Sequence, residues 1–222
     1  MTIRAILCIG GANWTAKFVT ADEWSKVKPT TPFGTLPYLK VIDNKTGEVL
    51  VVSEISAIER YLAQKFELLG LTEAEKLQVN VLLSLHNSLN NFWIQCMLLG
   101  ENAFAADNLV KLINTKVPAW IANCEKEQVK NGSIGHFVGQ QITYADIAAS
   151  TLMDALLSIG GMEAVLNEKT APNLYAVKRK VDSHPRYLSF RKSEDFKKLS
   201  IGTEGFVSGK AFSYDTKKMH VV

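Results

Sequence analysis

Two periodicities divide the chain. Up to about residue 53 the apolar positions alternate or run in short blocks, so residues 14–18 and 36–42 read as strands. Val49-Leu50-Val51-Val52-Ser53 follows the turn-forming stretch Asp43-Asn44-Lys45-Thr46-Gly47, and the last two runs are predicted to pair as a hairpin. Helical spacing then takes over. From Glu54 to Phe66, Ile55, Ile58, Tyr61 and Leu62 recur three and four apart on one face, with Ser53 as the expected N-cap.

From Thr72 onward the pattern is helical almost throughout. Thr72-Glu73-Ala74-Glu75 is a capping box opening a long helix whose buried stripe is read as Leu77, Val81, Leu85, Leu89, Phe92, Trp93, Cys96 and Met97. Val79, Leu82 and Leu83 widen that stripe and imply more than one packing partner. A second helical stretch runs from Asp107 to about Val129, where Pro118 is expected to kink the helix or start a new segment. Thr143-Tyr144-Ala145-Asp146 is a second capping box, opening a buried central helix to about Ile159. Pro172–Ser183 and Pro185–Phe196 each carry proline near the first helical position. Arg191, Lys192, Lys197 and Lys198 read as a solvated basic face. Residues 200–222, broken by Gly202, Gly205 and Gly209, read as an irregular tail, docked near the helical half because Phe206, Val207, Phe212 and Tyr214 are too apolar for a free one.

Charge and cysteine content narrow the function classes. The 25 basic and 22 acidic residues are spread over the 222-residue chain, so no single-sign block marks a nucleic-acid or membrane surface. Cys8, Cys96 and Cys124 lie far apart, without a CxxC pair or histidine at ligand spacing, which argues against a disulfide framework or a metal site and for a reducing, cytoplasmic compartment. The apolar stretch at the start stops at Gly10-Gly11, too short for a spanning helix and without a signal-peptide cleavage pattern. His86, His136, His184 and His220 are dispersed and receive no catalytic role. His86 is expected on the helix surface or satisfied inside the bundle.

Pro32-Phe33-Gly34-Thr35-Leu36-Pro37-Tyr38-Leu39 is the most informative segment, since a proline between a loop and an apolar strand is a favoured place for a cis bond. It resembles the "NPxGxxPxL" segment of the glutathione transferases, in which the residue before the cis proline offers its backbone to the cysteinyl part of glutathione. Leu36 and Pro37 match those positions. Glu23 to Pro29 resembles the sigma-like and mu-like pattern in which a tryptophan and a lysine four residues later contact the glycine end of glutathione, matched by Trp24 and Lys28. Glu54-Ile55-Ser56-Ala57-Ile58-Glu59-Arg60-Tyr61-Leu62 resembles the family's "(Q/E)SxAIxRYL" helix start, which holds the γ-glutamyl end. Glu54 fits, but Ile55 replaces the serine. Gly139 to Ala148 resembles the family's "G(D)xxTxADxxL" box, so the likeness spans roughly residues 14 to 196.

The resemblance implies an α+β fold: a thioredoxin-like N-terminal domain at residues 1–66 with the glutathione site, an all-helical C-terminal domain at residues 72–199, and a tail at residues 200–222. It further implies glutathione as substrate or ligand, no metal, a small hydrophobic electrophile or ligand as second partner, and a homodimer. Two departures bear on activity. Arg4 to Gly11 corresponds to the helix after the family's first strand, whose end supplies the Tyr, Ser or Cys that stabilises the glutathione thiolate, so that strand and the catalytic residue are expected to be missing. An alternative registration makes Ile3 to Ile9 that strand, with Cys8 or Asn13 near the site. Ile55 removes a donor to the γ-glutamyl carboxylate, a charge-assisted hydrogen bond of about 1.5–3 kcal/mol. The functional expectation is a glutathione transferase; the alternative is a non-catalytic carrier, structural or storage member of the same fold.

Overall fold

The computed structural model describes residues 1–98 and 103–197; the tail read at residues 200–222 lies outside the described residues. The chain enters as helix α1 (Thr2–Ile9), whose Ala5 and Ile6 are fully buried. This overturns the alternative registration: residues 3 to 9 are helix, not strand. Cys8 is buried within that helix, and burial, against a hydrogen bond from Trp14 and the charge of Arg4, pushes its thiol up to about 11. A thiol so placed is inert, not a nucleophile.

Residues 14–18 form no strand, contrary to expectation. Their period of two is real: Trp14, Ala16 and Phe18 turn inward while Thr15 and Lys17 face out. A strand also needs a ladder partner, and here the inward side chains are held by other means. The Trp14 ring meets Phe190 edge-on at 5.5 Å, and the Arg4 guanidinium lies 5.2 Å over Phe18. Helix α2 (Ala21–Val27) follows, capped reciprocally by Thr20 and Glu23.

The hairpin forms as predicted. Strands β1 (Tyr38–Ile42) and β2 (Val49–Ser53) pair antiparallel, with Tyr38 opposite Ser53 and Ile42 opposite Val49. The Asp43 carboxylate accepts from the Lys45 and Thr46 amides at 2.7 and 3.0 Å, and Gly47 takes φ 75° to close the turn. Helix α3 (Ile55–Lys65) packs on β1, β2 and α1 through Ile58, Leu62 and Ala63.

Helix α4 (Glu73–Leu98) starts at the predicted box: the Glu75 amide donates to Thr72 Oγ1 at 3.1 Å, and Glu75 Oε2 accepts from the Thr72 amide at 3.0 Å. Its buried face differs from the sequence reading. Val79, Leu82, Leu83, His86, Leu89 and Cys96 are inside, whereas Leu77 and Val81 are 66% and 53% exposed. Those two belonged to a stripe wider than one face, and packing selects which part of such a stripe is covered. Helix α5 (Ala103–Lys111) runs through a π-helical turn at Leu112–Lys116 into α6 (Val117–Lys130), with Pro118 in the first turn of α6. The wider turn sits just ahead of the missing proline N–H, as expected where an i to i−4 bond cannot form.

Helix α7 (Tyr144–Leu157) is the centre of the helical half, packed on α4, α8 (Pro172–Asp182) and α1. The fully buried Asp146 carboxylate accepts from the Thr143 amide and hydroxyl at 2.7 and 2.9 Å and from the Phe137 amide at 2.7 Å. It thereby anchors both the helix start and the preceding loop. Helix α9 (Pro185–Arg191) closes over α1 and α8.

Candidate functional site

Of the residues matched to the glutathione transferases, Leu36, Pro37 and Glu54 fall at one end of the hairpin. The Leu36–Pro37 bond is cis and leads directly into β1. Because Tyr38 pairs with Ser53, the register sets Pro37 beside Glu54, the residue that joins β2 to α3. Lys28, one turn beyond Trp24 with its amide bonded to the Trp24 carbonyl, lies against the same loop: its side chain is 3.5 Å from where a Cβ on Gly34 would stand. Lys28 is exposed and Trp24 half-buried.

The start of α3 corrects one expectation. Glu54, not Ser53, is the N-cap, and it makes no side-chain capping bond. The Ser53 hydroxyl is instead buried without a partner among the described residues. Glu54 holds φ 69°, a left-handed conformation that costs a non-glycine residue of order 1–3 kcal/mol and is typical of sites where geometry serves a ligand. The consequence is a helix N-terminus whose first amides lack intrahelical and side-chain acceptors, with the positive end of its dipole exposed.

That N-terminus opens onto a cavity of about 680 Å³. Thr2 of α1, Ile55, Ser56 and Glu59 of α3 form one wall; Asn87, Asn90, Asn91, Trp93 and Ile94 of α4 form another. Thr151, Leu152 and Asp154 of α7 and Ser158 just after it, with Arg191 and Phe196, complete it. None of Trp24, Lys28, Leu36, Pro37 or Glu54 lines the cavity itself. Of these, Glu54 directly precedes the cavity residue Ile55 in the chain.

Three ionisable groups on the cavity carry environments the sequence did not announce. Glu59 is only 8% exposed and accepts a short hydrogen bond from the Tyr144 hydroxyl. Burial raises its carboxyl above the ordinary range, against the bonds from Tyr144 and Thr2 and the nearby terminal amine. His86 is 2% exposed, inside the bundle rather than on its surface, and burial lowers its imidazole to about 3. Its Nδ1 accepts from Trp120 Nε1 at 3.0 Å, which leaves the hydrogen of the neutral ring on Nε2.

Arg191 is the third, and it is not part of a solvated basic face. It donates to Asp154 at 3.1 Å and Asp182 at 2.7 Å, while Lys178 joins the same two aspartates at 2.5 and 3.0 Å. Burial opposes the Arg191 charge, but the two carboxylates outweigh it and hold the guanidinium above its usual value. The network ties α9 to α7 and α8 at the cavity rim. Lys192 is exposed, Lys197 pairs with Glu194 at 2.6 Å, and Lys198 lies outside the described residues.

With this geometry in place, comparison with known proteins is decisive. A family model described as "Glutathione S-transferase, C-terminal domain" matches residues 86–194. The chain is 31% identical over 155 residues to the class-mu 28 kDa glutathione S-transferase of Schistosoma haematobium, covering 69% of this chain and 71% of that protein. It is also 31% identical over 178 residues to glutathione S-transferase 4 of Caenorhabditis elegans, covering 78% and 82%. The chain belongs to the glutathione S-transferase family.

Its fold agrees with that membership: the solved sigma-class enzyme of Fasciola hepatica superposes with a TM-score of 0.72 at 21% identity, covering 86% of this chain and 88% of that one. The α+β expectation holds, a thioredoxin-like half of hairpin, α1 and α3 followed by a helical half. In the cavity wall Asn87, Asn90 and Asn91 stand on one face of α4. Their spacing of three and four was visible in the sequence. What was not visible is that this face of α4 turns toward α7 across an open space. Glu59 carried a weaker signal, an acid on the same face as Ile55 four residues before it.

Proposed function

We propose that this chain binds glutathione at the N-terminal end of α3 and conjugates it to small electrophiles in the adjoining cavity. The observation that carries the reading is the uncapped, left-handed entry to α3 at Glu54, opening onto a cavity of about 680 Å³ beside the cis Leu36–Pro37 bond. Unpaired amides and the helix dipole suit the γ-glutamyl carboxylate. The Leu36 backbone suits the cysteinyl part, and Lys28 with Trp24 the glycine end. Glu54 then receives the γ-glutamyl amine. A cavity of this size lies within the range of ligand sites, about 300–1,000 Å³.

In the reaction the glutathione thiol releases its proton to solvent and the sulfur bonds to the electrophilic carbon, while a leaving group such as the chloride of an aryl chloride departs with its bonding pair. The protein contributes by holding the thiolate beside its target and by excluding competing water. Relatives named as glutathione S-transferases favour this reading over the carrier or storage alternative. The organisation into a glutathione-site domain at residues 1–66 and a helical domain at residues 72–199 belongs to the same proposal. So does a cytoplasmic location, with no helix among the described residues long and apolar enough to cross a membrane. A homodimer is included because α4 leaves Leu77 and Val81 uncovered.

Calorimetry with glutathione tests the reading directly. Saturable binding with an affinity in the millimolar range or tighter, accompanied by turnover of 1-chloro-2,4-dinitrobenzene above the uncatalysed rate, is expected. Binding without turnover of any electrophile restores the carrier reading.

A further inference from the structure

Glu59 on α3 and Asp154 on α7 both line the cavity, and their surroundings differ. Asp154 accepts from Lys178 and Arg191, which neutralise its charge. Glu59 is 8% exposed and forms no ion pair among the described residues. Its partners are hydroxyls: Tyr144, the first residue of α7, and Thr2 of α1 both donate to it. The Met1 amine ahead of α1 acts on it at longer range, and His86 of α4 lines the same cavity as a neutral ring. Strands β1 and β2 also pack on α3, but no charge from them acts on Glu59 among the described residues. A carboxylate so enclosed, raised by burial and left without a cation, has the character of a base. Glu59 follows Ile55 by four residues, so both face the cavity, and it lies about 6 Å further along the axis of α3.

We propose that Glu59 is a catalytic residue that takes the proton from the glutathione thiol. This rests on glutathione lying at the N-terminal end of α3, with its γ-glutamyl carboxylate on the first-turn amides and its sulfur directed along the cavity past Ile55. The proton lost to solvent then passes first to Glu59. The S–H bond breaks, its electron pair stays on sulfur, and the proton forms an O–H bond with the carboxylate. Sulfur bonds to the electrophilic carbon as the leaving group departs with its bonding pair, and Glu59 gives its proton to solvent before the next turnover. The transfer moves one negative charge from oxygen to sulfur and leaves the charge of the cavity unchanged. Direct loss to solvent would set a thiolate beside an ionised carboxylate, two like charges in a site poor in water. A carboxylate that burial makes more basic is also better matched to a thiol. Tyr144 and Thr2 are positioning residues: they hold the carboxylate by two of its lone pairs and leave others for the thiol proton.

The test follows kcat for 1-chloro-2,4-dinitrobenzene from about pH 5 to about pH 10 in the wild type, Glu59→Gln and Tyr144→Phe, with glutathione calorimetry on each. In the wild type kcat should rise along an acid limb set by Glu59 and level off below about pH 8.5, the ordinary value of a thiol. Glu59→Gln keeps an acceptor for Tyr144. It should bind glutathione within about twofold of the wild type yet lose roughly 10- to 100-fold in kcat at about pH 7. The loss should shrink toward high pH, where the thiol ionises unaided. Tyr144→Phe removes a donor that favours the ionised carboxylate, so its acid limb should move to higher pH. A Glu59→Gln rate unchanged at about pH 7, or lowered equally at every pH, overturns the proposal, the second result being what a purely structural carboxylate gives. If Glu59→Gln does not fold, Tyr144→Phe decides: a limb that moves supports the proposal, and one that stays in place overturns it. A wild type that does not bind glutathione overturns both this step and the glutathione reading, whereas binding without turnover, or turnover with no acid limb below that of the thiol, overturns this step alone.

Discussion

Replacing Ile55 by serine should raise glutathione affinity. Ile55 is the first residue of α3, lines the cavity and is 53% exposed, so its side chain contributes little to the core. A hydroxyl at this position reaches the same space as the unpaired amides of the first turn. A charge-assisted hydrogen bond to a carboxylate is worth about 1.5–3 kcal/mol, and the solvent exposure of the site reduces this to about 1–2 kcal/mol. The expected gain is therefore roughly 5- to 30-fold in Kd. Serine also suits a helix start, so the fold should tolerate the change. Calorimetry with glutathione measures the gain, and cysteinylglycine, which lacks the γ-glutamyl group, is the control in which it should vanish. An equal gain for both ligands would falsify the assignment of the γ-glutamyl end to α3. If neither protein binds at millimolar glutathione, Trp24, Lys28, Leu36, Pro37 and Glu54 are scaffold. If the wild type already binds tightly, Ser56 is the donor, since it lines the cavity while Ser53 is buried.

Acid should destabilise the fold through His86. Its native pKa, about 3, lies below the ordinary 6.5, so the unfolded chain binds the proton first. Stability is then full above about pH 6.5 and falls toward pH 3 by up to about 1.4 kcal/mol per unit; His86→Gln, which keeps an acceptor for Trp120, should flatten urea midpoints across that window. Asp146→Ala should cost about 3–5 kcal/mol, read as a lower urea midpoint, because it strands the buried Phe137 and Thr143 amides; a loss under about 1 kcal/mol would mean that water replaces the carboxylate. Sedimentation at micromolar concentration should report a dimer that Val81→Glu dissociates, whereas a wild-type monomer removes α4 as an interface.

Much of the fold was legible in the sequence because its signals are local. Capping boxes at Thr72 and Thr143, the Asp43 to Gly47 turn and the prolines at 172 and 185 act within a few residues of themselves, and each element starts where its signal stands. The Leu36–Pro37 bond and the order of the matched segments placed the chain in its family for the same reason. Residues 14–18 mark the limit. Their alternation fixed which side chains point inward, but a strand exists only with a neighbour to pair with, and that is a property of the whole sheet. The broad apolar stripe of α4 could not say which part is covered, since Leu77 and Val81 are as apolar as the residues that are buried. Arg191 read as solvated because Asp154 and Asp182, which neutralise it, stand 37 and 9 residues away in the chain. The cavity itself, lined by Glu59 of α3 and Asn90 of α4, was decided only by tertiary structure: α3, α4 and α7 are each set by local helical signals, and the space between them belongs to none of their sequences.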